Sequence, residues 1–457
     1  MKISIENFKS IKKLHNFEIK PFTILSGVNS SGKSSFIQLL LLLKQTIEAN
    51  NKPMVLEGNY YNAGNYIDIV SGKNLDNKLS ISFEYEEYEI SETINYIDST
   101  AKAILKSYDN YKVIISITFN FNNPSIYVEH FKINVVSNNE TVLFINCTIS
   151  DNNEYVIKEG NGFFTKDIRN EDINITAIDF TSFFPLSYEK KTDDLIVKEF
   201  IKVDWVKTII NSFFDNISYL KPNREYPKDF YTTVNKLDNV GVKGEHTAQI
   251  LEENAKQSLN YYKIDILEDR IVYSVVESTL AEAVKYWMCN YFEVASNLIA
   301  EKEKETYKIT LTNKLGLKTS IKHVGFGISQ LLPIVVEGLR MSNNGTLIIE
   351  QPEIHLHPKL QSKLYDFLYG LTKQGKKIIV ETHSSHFITR MRRRIAEDET
   401  NVMVNQIGLT FIEGDIFRSI ELDDYGTMDY YPEDFIEGSN KELKAIIKAQ
   451  MKKRKKK

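Results

Sequence analysis

Two cysteines, Cys147 and Cys289, are all this 457-residue chain contains. They lack paired spacing, so neither a disulfide framework nor a thiolate zinc cage can be built, and a reducing compartment is the natural setting. Long apolar runs are missing too. The longest, around Leu39 to Leu43, falls far short of the roughly 20 residues a membrane helix requires, and the start, Met1 to Glu6, interleaves charge as no leader does. The expectation is a cytoplasmic protein with no membrane partner. Nor is there an excess of charge of one sign: 57 basic residues face 61 acidic ones, which excludes a globally cationic nucleic-acid binder while leaving local basic patches open. No internal repeat and no extended heptad run occurs, so long coiled-coil arms are excluded.

What is present is a length sufficient for two or three lobes and a pattern that changes along the chain. Alternation in Ile3, Ile5, Phe8, Phe17 and Ile19 reads as a strand pair leading to an apolar strand from Phe22 to Leu25. Directly after it comes GVNSSGKS, Gly27 to Ser34, then an apolar helical run from Ser35 to Leu43. Strand, glycine-rich loop and helix in that order form a phosphate-binding loop: the glycines let N–H groups turn inward while the helix aims its positive end at the same point. Asn29, Ser30, Ser31, Gly32, Lys33, Ser34 and Ser35 are the candidate nucleotide-binding residues, Lys33 for the β- and γ-phosphates and the Ser34 hydroxyl for Mg²⁺.

From about Lys78 to Ile157 the segments KVIISITFNF, SIYVEHFKINVV and ETVLFINCTI alternate with period two, predicting an inserted antiparallel sheet. Between about Leu195 and Glu303 the apolar spacing shifts to three and four, most clearly in DRIVYSVVESTLAEAVKYWMCNYFEVASNLI, and predicts a helical lobe interrupted near YLKPNREYPKDFY. The last third returns to buried-strand character. TLIIE ends at Glu350 and KKIIVET at Glu381 and Thr382, with an amphipathic helix over Lys359 to Leu371 between them, as a right-handed crossover in a parallel sheet requires. The expected organisation is a head split between 1–77 and 321–457, a β-rich insertion at 78–194 and a helical lobe at 195–320, in the α/β class.

Three further motifs carry chemistry. Glu350 stands where a P-loop ATPase puts the acid that holds the metal's water shell. Gln351, Pro352 and Glu353 follow it, and His383 follows the next strand, placed for contact with a γ-phosphate. VGFGISQ puts Gly325 and Gly327 before a helix capped by Ser329, with Pro333 about one turn in, giving a second helix N-terminus able to bind phosphate.

Together the motifs resemble the ABC-type ATPase head, in its RecF-like and overcoming-lysogenisation-defect-like bacterial branch, often labelled AAA family ATPase. The resemblance runs over IENFKSIKKLHNFEIKPFTILSGVNSSGKSSFIQLLLLLKQ at the start and from VGFGISQ through IEQPEIHLHPKLQ to VETHSSHFITRMRRRIAE at the end, touching LKPNREYP and VGVKGE between. It implies a mixed-sheet head that forms a homodimer or higher homo-oligomer, with ATP and Mg²⁺ sandwiched between the P-loop of one copy and the GFGISQ turn of the other. Lys33 and Ser34 carry over as phosphate and Mg²⁺ contacts, Glu350 as the Mg²⁺ acid, Gly327 and Ser329 as the trans signature and His383 as the switch histidine.

One departure stands out. Many such ATPases follow the metal acid with a glutamate that polarises the attacking water, and here that place holds Gln351. An amide cannot accept a proton. Either Glu353, the first candidate, or His383 organises the water, or turnover is slow and the ATP-bound dimer persists. His355 and His357 read as members of the turn, since a zinc site needs three or four converging ligands. Arg390, Arg392, Arg393 and Arg394 read either as a nucleic-acid or partner surface or as a solvated face paired with Glu397, Asp398 and Glu399, and Lys452 to Lys457 as a basic end. Arg224 either senses nucleotide, holds the lobe or makes a surface pair. The functional expectation is an ATPase sensor and scaffold of antiphage defence acting on a separate effector protein. A repair ATPase acting on DNA and a switch that scarcely hydrolyses ATP are the alternatives.

Overall fold

The computed structural model describes residues 1–27, 32–93, 99–122, 125–149, 155–160, 173–175, 177–192, 195–201, 203–267 and 270–431. Asn29, Ser30, Ser31 and the basic end from Lys452 to Lys457 lie outside the described residues. The chain forms two compact units, one of Met1–Ile19, Ser34–Ile217 and Gly414–Ile416, the other of Lys20–Lys33, Ser218–Glu413 and the residues from Phe417 on.

The first unit is organised by an antiparallel sheet of eight strands, whose order begins Ile11–Glu18, Lys2–Phe8, Leu79–Glu86, Tyr111–Asn122, Ser125–Ser137, Glu140–Ile149. The period-two alternation expected from Lys78 onward is realised: along Leu79–Glu86 the residues alternate buried and half-buried, so Leu79, Ile81, Phe83 and Tyr85 supply one apolar face. The N-terminal strand pair belongs to this sheet, through pairing of Lys2–Glu6 with Ser80–Glu84. A helix, Asp204–Phe214, turns Trp205, Val206, Ile209, Ile210, Phe213 and Phe214 inward, and Phe214 meets Phe83 edge to face at 6.0 Å.

The second unit is built on a six-stranded sheet in the order Ile217–Leu220, Thr346–Glu350, Lys377–Glu381, Phe22–Gly27, Ile407–Glu413, Ile416–Ile420. Thr346–Glu350, Lys377–Glu381, Phe22–Gly27 and Ile407–Glu413 run parallel. Their near-continuous aliphatic composition suits strands covered on both faces. The expected crossover helix is present as Pro358–Thr372, with His357 accepting from the Lys359 N–H at 3.3 Å as its cap. At the base of the P-loop strand, Phe22 stacks on Tyr365 of that helix at 5.5 Å and meets Phe387 of the helix Ser385–Glu397 at 6.2 Å.

The 195–320 stretch, expected to be helical, is mixed. RIVYSVVEST forms a strand, Arg270–Thr279, paired antiparallel with Ser258–Leu267, before the short helix Leu280–Lys285. Its apolar residues satisfy both a spacing of three to four and a spacing of two, and the register with Ser258–Leu267, a tertiary pairing, decides the outcome. Two more antiparallel strands, Asn297–Glu303 and Thr306–Thr312, follow.

The arginine cluster is committed within the chain. Asp366, wholly buried, receives Arg394 Nε at 2.8 Å and Nη2 at 3.3 Å, Arg390 Nε at 3.4 Å and the Tyr291 hydroxyl at 2.5 Å. Arg393 pairs with Glu397 at 2.6 Å, and Arg392 donates to the Gly426 carbonyl at 2.7 Å. Replacing Asp366 by Ala strands buried guanidinium charge, and the expected loss of stability is about 3–5 kcal/mol, read as a fall in denaturation midpoint with the slope unchanged.

Candidate functional site

Parallel register brings the motifs to one edge. Glu350 lies opposite Glu381, and Glu381 opposite Leu25, two residues before Gly27. All three strands end together there, and backbone bonds lock the exits: Gln351 N–H to the Glu381 carbonyl at 2.7 Å, Thr382 N–H to the Leu25 carbonyl at 3.0 Å, and the Ser26 hydroxyl to the Thr382 carbonyl at 3.0 Å. In open parallel sheets this carboxyl edge is where ligands bind.

Glycine at 27 is a necessity of that edge. Its φ is +149°, and a Cβ there would lie 2.1 Å from the Ile412 carbonyl oxygen of the adjacent strand. Gly32, at φ +91°, sets the entry to the helix Lys33–Ala49. Lys33 is 3% exposed and turns its ammonium back to the Gly27 carbonyl at 3.3 Å. Burial lowers its pKa, and the Glu381 carboxylate opposes the shift. Ser34 follows in the first turn, and the Ser35 hydroxyl lies 3.0 Å from that of Ser10.

The turn after Glu350 is wound tightly, with Gln351 and His355 at φ +43° and +63°. Such conformations in residues other than glycine are strained and persist where the surroundings impose them. The turn brings Glu353 against the segment that follows Glu381: its Oε1 accepts the His383 N–H at 2.7 Å, while Oε2 is shut off from solvent and has no hydrogen-bond partner among the described residues. Burial raises the Glu353 pKa. Arg224, 3% exposed, supplies the nearby positive charge, and its buried Nε and Nη2 have no hydrogen-bond partner among the described residues. Burial pushes its pKa down to about 10. Arg224 is therefore no surface ion pair. Burial and then the Lys33 charge lower the pKa of His383, with the Gly27 carbonyl opposing, so the imidazole is neutral near pH 7.

Glu350 is 7% exposed and accepts a hydrogen bond from the Tyr219 hydroxyl. Burial raises its pKa, and Tyr219 and Lys221 work against that. Tyr219 was invisible as a site residue in the sequence, because 131 positions separate it from its partner and only the strand order Ile217–Leu220 beside Thr346–Glu350 unites them.

The signature turn differs from expectation in detail. The helix spans Phe326–Arg340 with Gly325 as its cap residue and no side-chain cap bond. Ser329 sits inside it, 6% exposed, donating to the Phe326 carbonyl at 2.7 Å. The cap is thus four residues earlier, because a glycine can open the helix and leave its first N–H groups bare. Pro333 falls two turns in, with its ring filling the space beside Gly244, where a Cβ would lie 2.5 Å from it. Gly327 serves close approach, since a Cβ there would come within 2.6 Å of the His355 carbonyl. The signature and metal-acid turns are packed backbone to backbone, with Phe326 edge-on to His355 at 4.8 Å.

The residues fit a magnesium nucleotide. Gly27 and Gly32, the buried Lys33 turned back to the Gly27 carbonyl, the buried Glu350 and, in Glu353, an acid with one oxygen unpartnered among the described residues form the donor set that phosphoryl chemistry uses.

A family model described as an AAA ATPase domain matches residues 1–388. Among solved structures, an Smc head bound to the C-winged helix domain of ScpA is similar with a TM-score of 0.41 and 13% identity, over 92% of this chain and 97% of that one. An SMC head domain from Thermotoga maritima gives 0.34 and 9%, over 92% and 98%. An Smc head domain with an extended coiled coil bound to the C-terminal domain of ScpA, derived from Pyrococcus furiosus, gives 0.41 and 11%, over 97% and 98%. No curated protein matches.

Gly27→Ala is expected to cost about 1–3 kcal/mol from backbone strain alone, and more from the overlap with Ile412. Chemical denaturation measures this, and a variant as stable as wild type would show that the strand exit is looser than described.

Proposed function

The chain belongs to the AAA ATPase domain family, and from that premise we propose that it binds ATP with Mg²⁺ at the carboxyl edge of the parallel sheet and hydrolyses it. The observation that carries this reading is the alignment of Leu25, Glu381 and Glu350 across three strands, which gathers P-loop, metal acid and switch segment at one place. Bound there, the magnesium nucleotide supplies the phosphoanhydride bond and a cation to neutralise developing charge. Lys33 and the first N–H groups of its helix hold phosphate oxygens, and Ser34 and Glu350 hold the cation and its water shell. Glu353 takes a proton from water, a role Gln351 cannot fill, and its unpartnered oxygen supports that assignment. His383, neutral and beside Lys33, donates or accepts one hydrogen bond without adding charge.

The motif order supports an ABC-type head of the RecF-like and overcoming-lysogenisation-defect-like branch, working as a homodimer or larger homo-oligomer whose turn, with Gly325 exposed and Gly327 half-buried, faces the partner's nucleotide. After the switch helix the described chain returns to the head's own sheet through Ile407–Glu413 and Ile416–Ile420. Output through a separate effector protein, as sensor and scaffold in antiphage defence, suits that arrangement, and its warrant is family analogy. Direct action on DNA is less well supported, since Arg390, Arg392, Arg393 and Arg394 all bond within the chain.

Two substitutions test the reading. Lys33→Ala should weaken ATP binding about 10- to 100-fold, the worth of a charge-assisted hydrogen bond, by calorimetry. Glu353→Gln should keep binding, cut phosphate release by about 100-fold or more and accumulate an ATP-dependent dimer in sedimentation. Wild-type turnover in Glu353→Gln would move the role to His383.

A further inference from the structure

Glu350 is the residue expected to hold the metal's water shell, yet it does not stand alone. The Tyr219 hydroxyl donates to its Oε1. Both side chains belong to residues 7% exposed, so this hydrogen bond forms away from competing water, where it is stronger than on a surface.

The strand that carries Tyr219 is itself anchored. Ser218, the preceding residue, donates to Oε1 of Glu337 at 2.6 Å. Glu337, 1% exposed on the signature helix, also accepts the Val240 N–H at 3.2 Å and Arg340 Nη2 at 2.7 Å. Successive strand residues point to opposite faces. Ser218 therefore ties the strand to the signature helix on one side while Tyr219 reaches the metal acid on the other.

We propose that Tyr219 is a positioning residue for metal-assisted nucleotide binding, its hydroxyl fixing the Glu350 carboxylate in the orientation that receives the Mg²⁺ water shell. This rests on the reading of the site as a magnesium nucleotide site. The partners of metal-holding carboxylates commonly tune affinity by about 10- to 100-fold, and one hydroxyl in Tyr219→Phe is the smallest change that removes the partner and keeps the ring.

The experiment compares binding of a non-hydrolysable ATP analogue in Mg²⁺ and in EDTA, by calorimetry, for wild type, Tyr219→Phe, Glu350→Gln and the double variant. In Tyr219→Phe the factor by which Mg²⁺ tightens binding should shrink about tenfold or more, with affinity in EDTA unchanged. Because Tyr219 acts through Glu350, the double variant should be no worse than Glu350→Gln alone. An undiminished Mg²⁺ factor in Tyr219→Phe overturns the proposal and leaves the nucleotide reading standing. An equal loss in Mg²⁺ and EDTA overturns it too, marking a packing role. Wild type that binds no analogue in either condition overturns both. If Tyr219→Phe melts well below wild type, the additive or non-additive behaviour of Tyr219→Trp with Glu350→Gln decides in the same way.

Discussion

Everything at the site depends on the register between three parallel strands. A slip by one residue would turn each side chain to the opposite face of the sheet, taking Glu350 off the face where Tyr219 meets it and breaking the bonds of Gln351, Ser26 and Thr382 that hold the strand exits. Apolar side chains from Phe22, Ile24, Leu347, Ile349, Ile378 and Val380, all buried in one core cluster, set that register. The apolar core is thus what aims the polar edge, and the strain at Gln351 and His355 is sustained by it.

The same edge concentrates buried charge. Lys33, Glu350, Glu381, Glu353 and Arg224 sit within one unit, and burial shifts Lys33, Arg224, Glu350 and Glu353 toward their neutral forms. A triphosphate and cation bound there would give each of these groups a partner that solvent no longer provides.

Much of this was legible in the chain. The strand from Phe22 to Gly27 leading into the helix Lys33–Ala49, the strands ending at Glu350 and Glu381 and the crossover helix follow from short local patterns whose physics is local: glycines before a helix, an acid ending an aliphatic strand. Two kinds of feature were not. The Arg270–Thr279 strand is not legible locally because its Val and Tyr positions fit both periods, and the pairing with Ser258–Leu267 that selects one is tertiary. The Tyr219 to Glu350 bond and the Gly327 to His355 approach join distant segments, and no spacing rule within one chain segment reports them. Ser329 was placed as a cap because serine favours that role, whereas Gly325 opens the helix.

Amide hydrogen exchange with and without Mg²⁺ and ATP tests the central claim most directly. The account predicts slowed exchange on nucleotide addition at three separated segments together: the P-loop up to Lys33, the turn from Gln351 to Glu353, and the switch from Thr382 to His383. Protection confined to another part of the chain, or absent at saturating nucleotide, would contradict it.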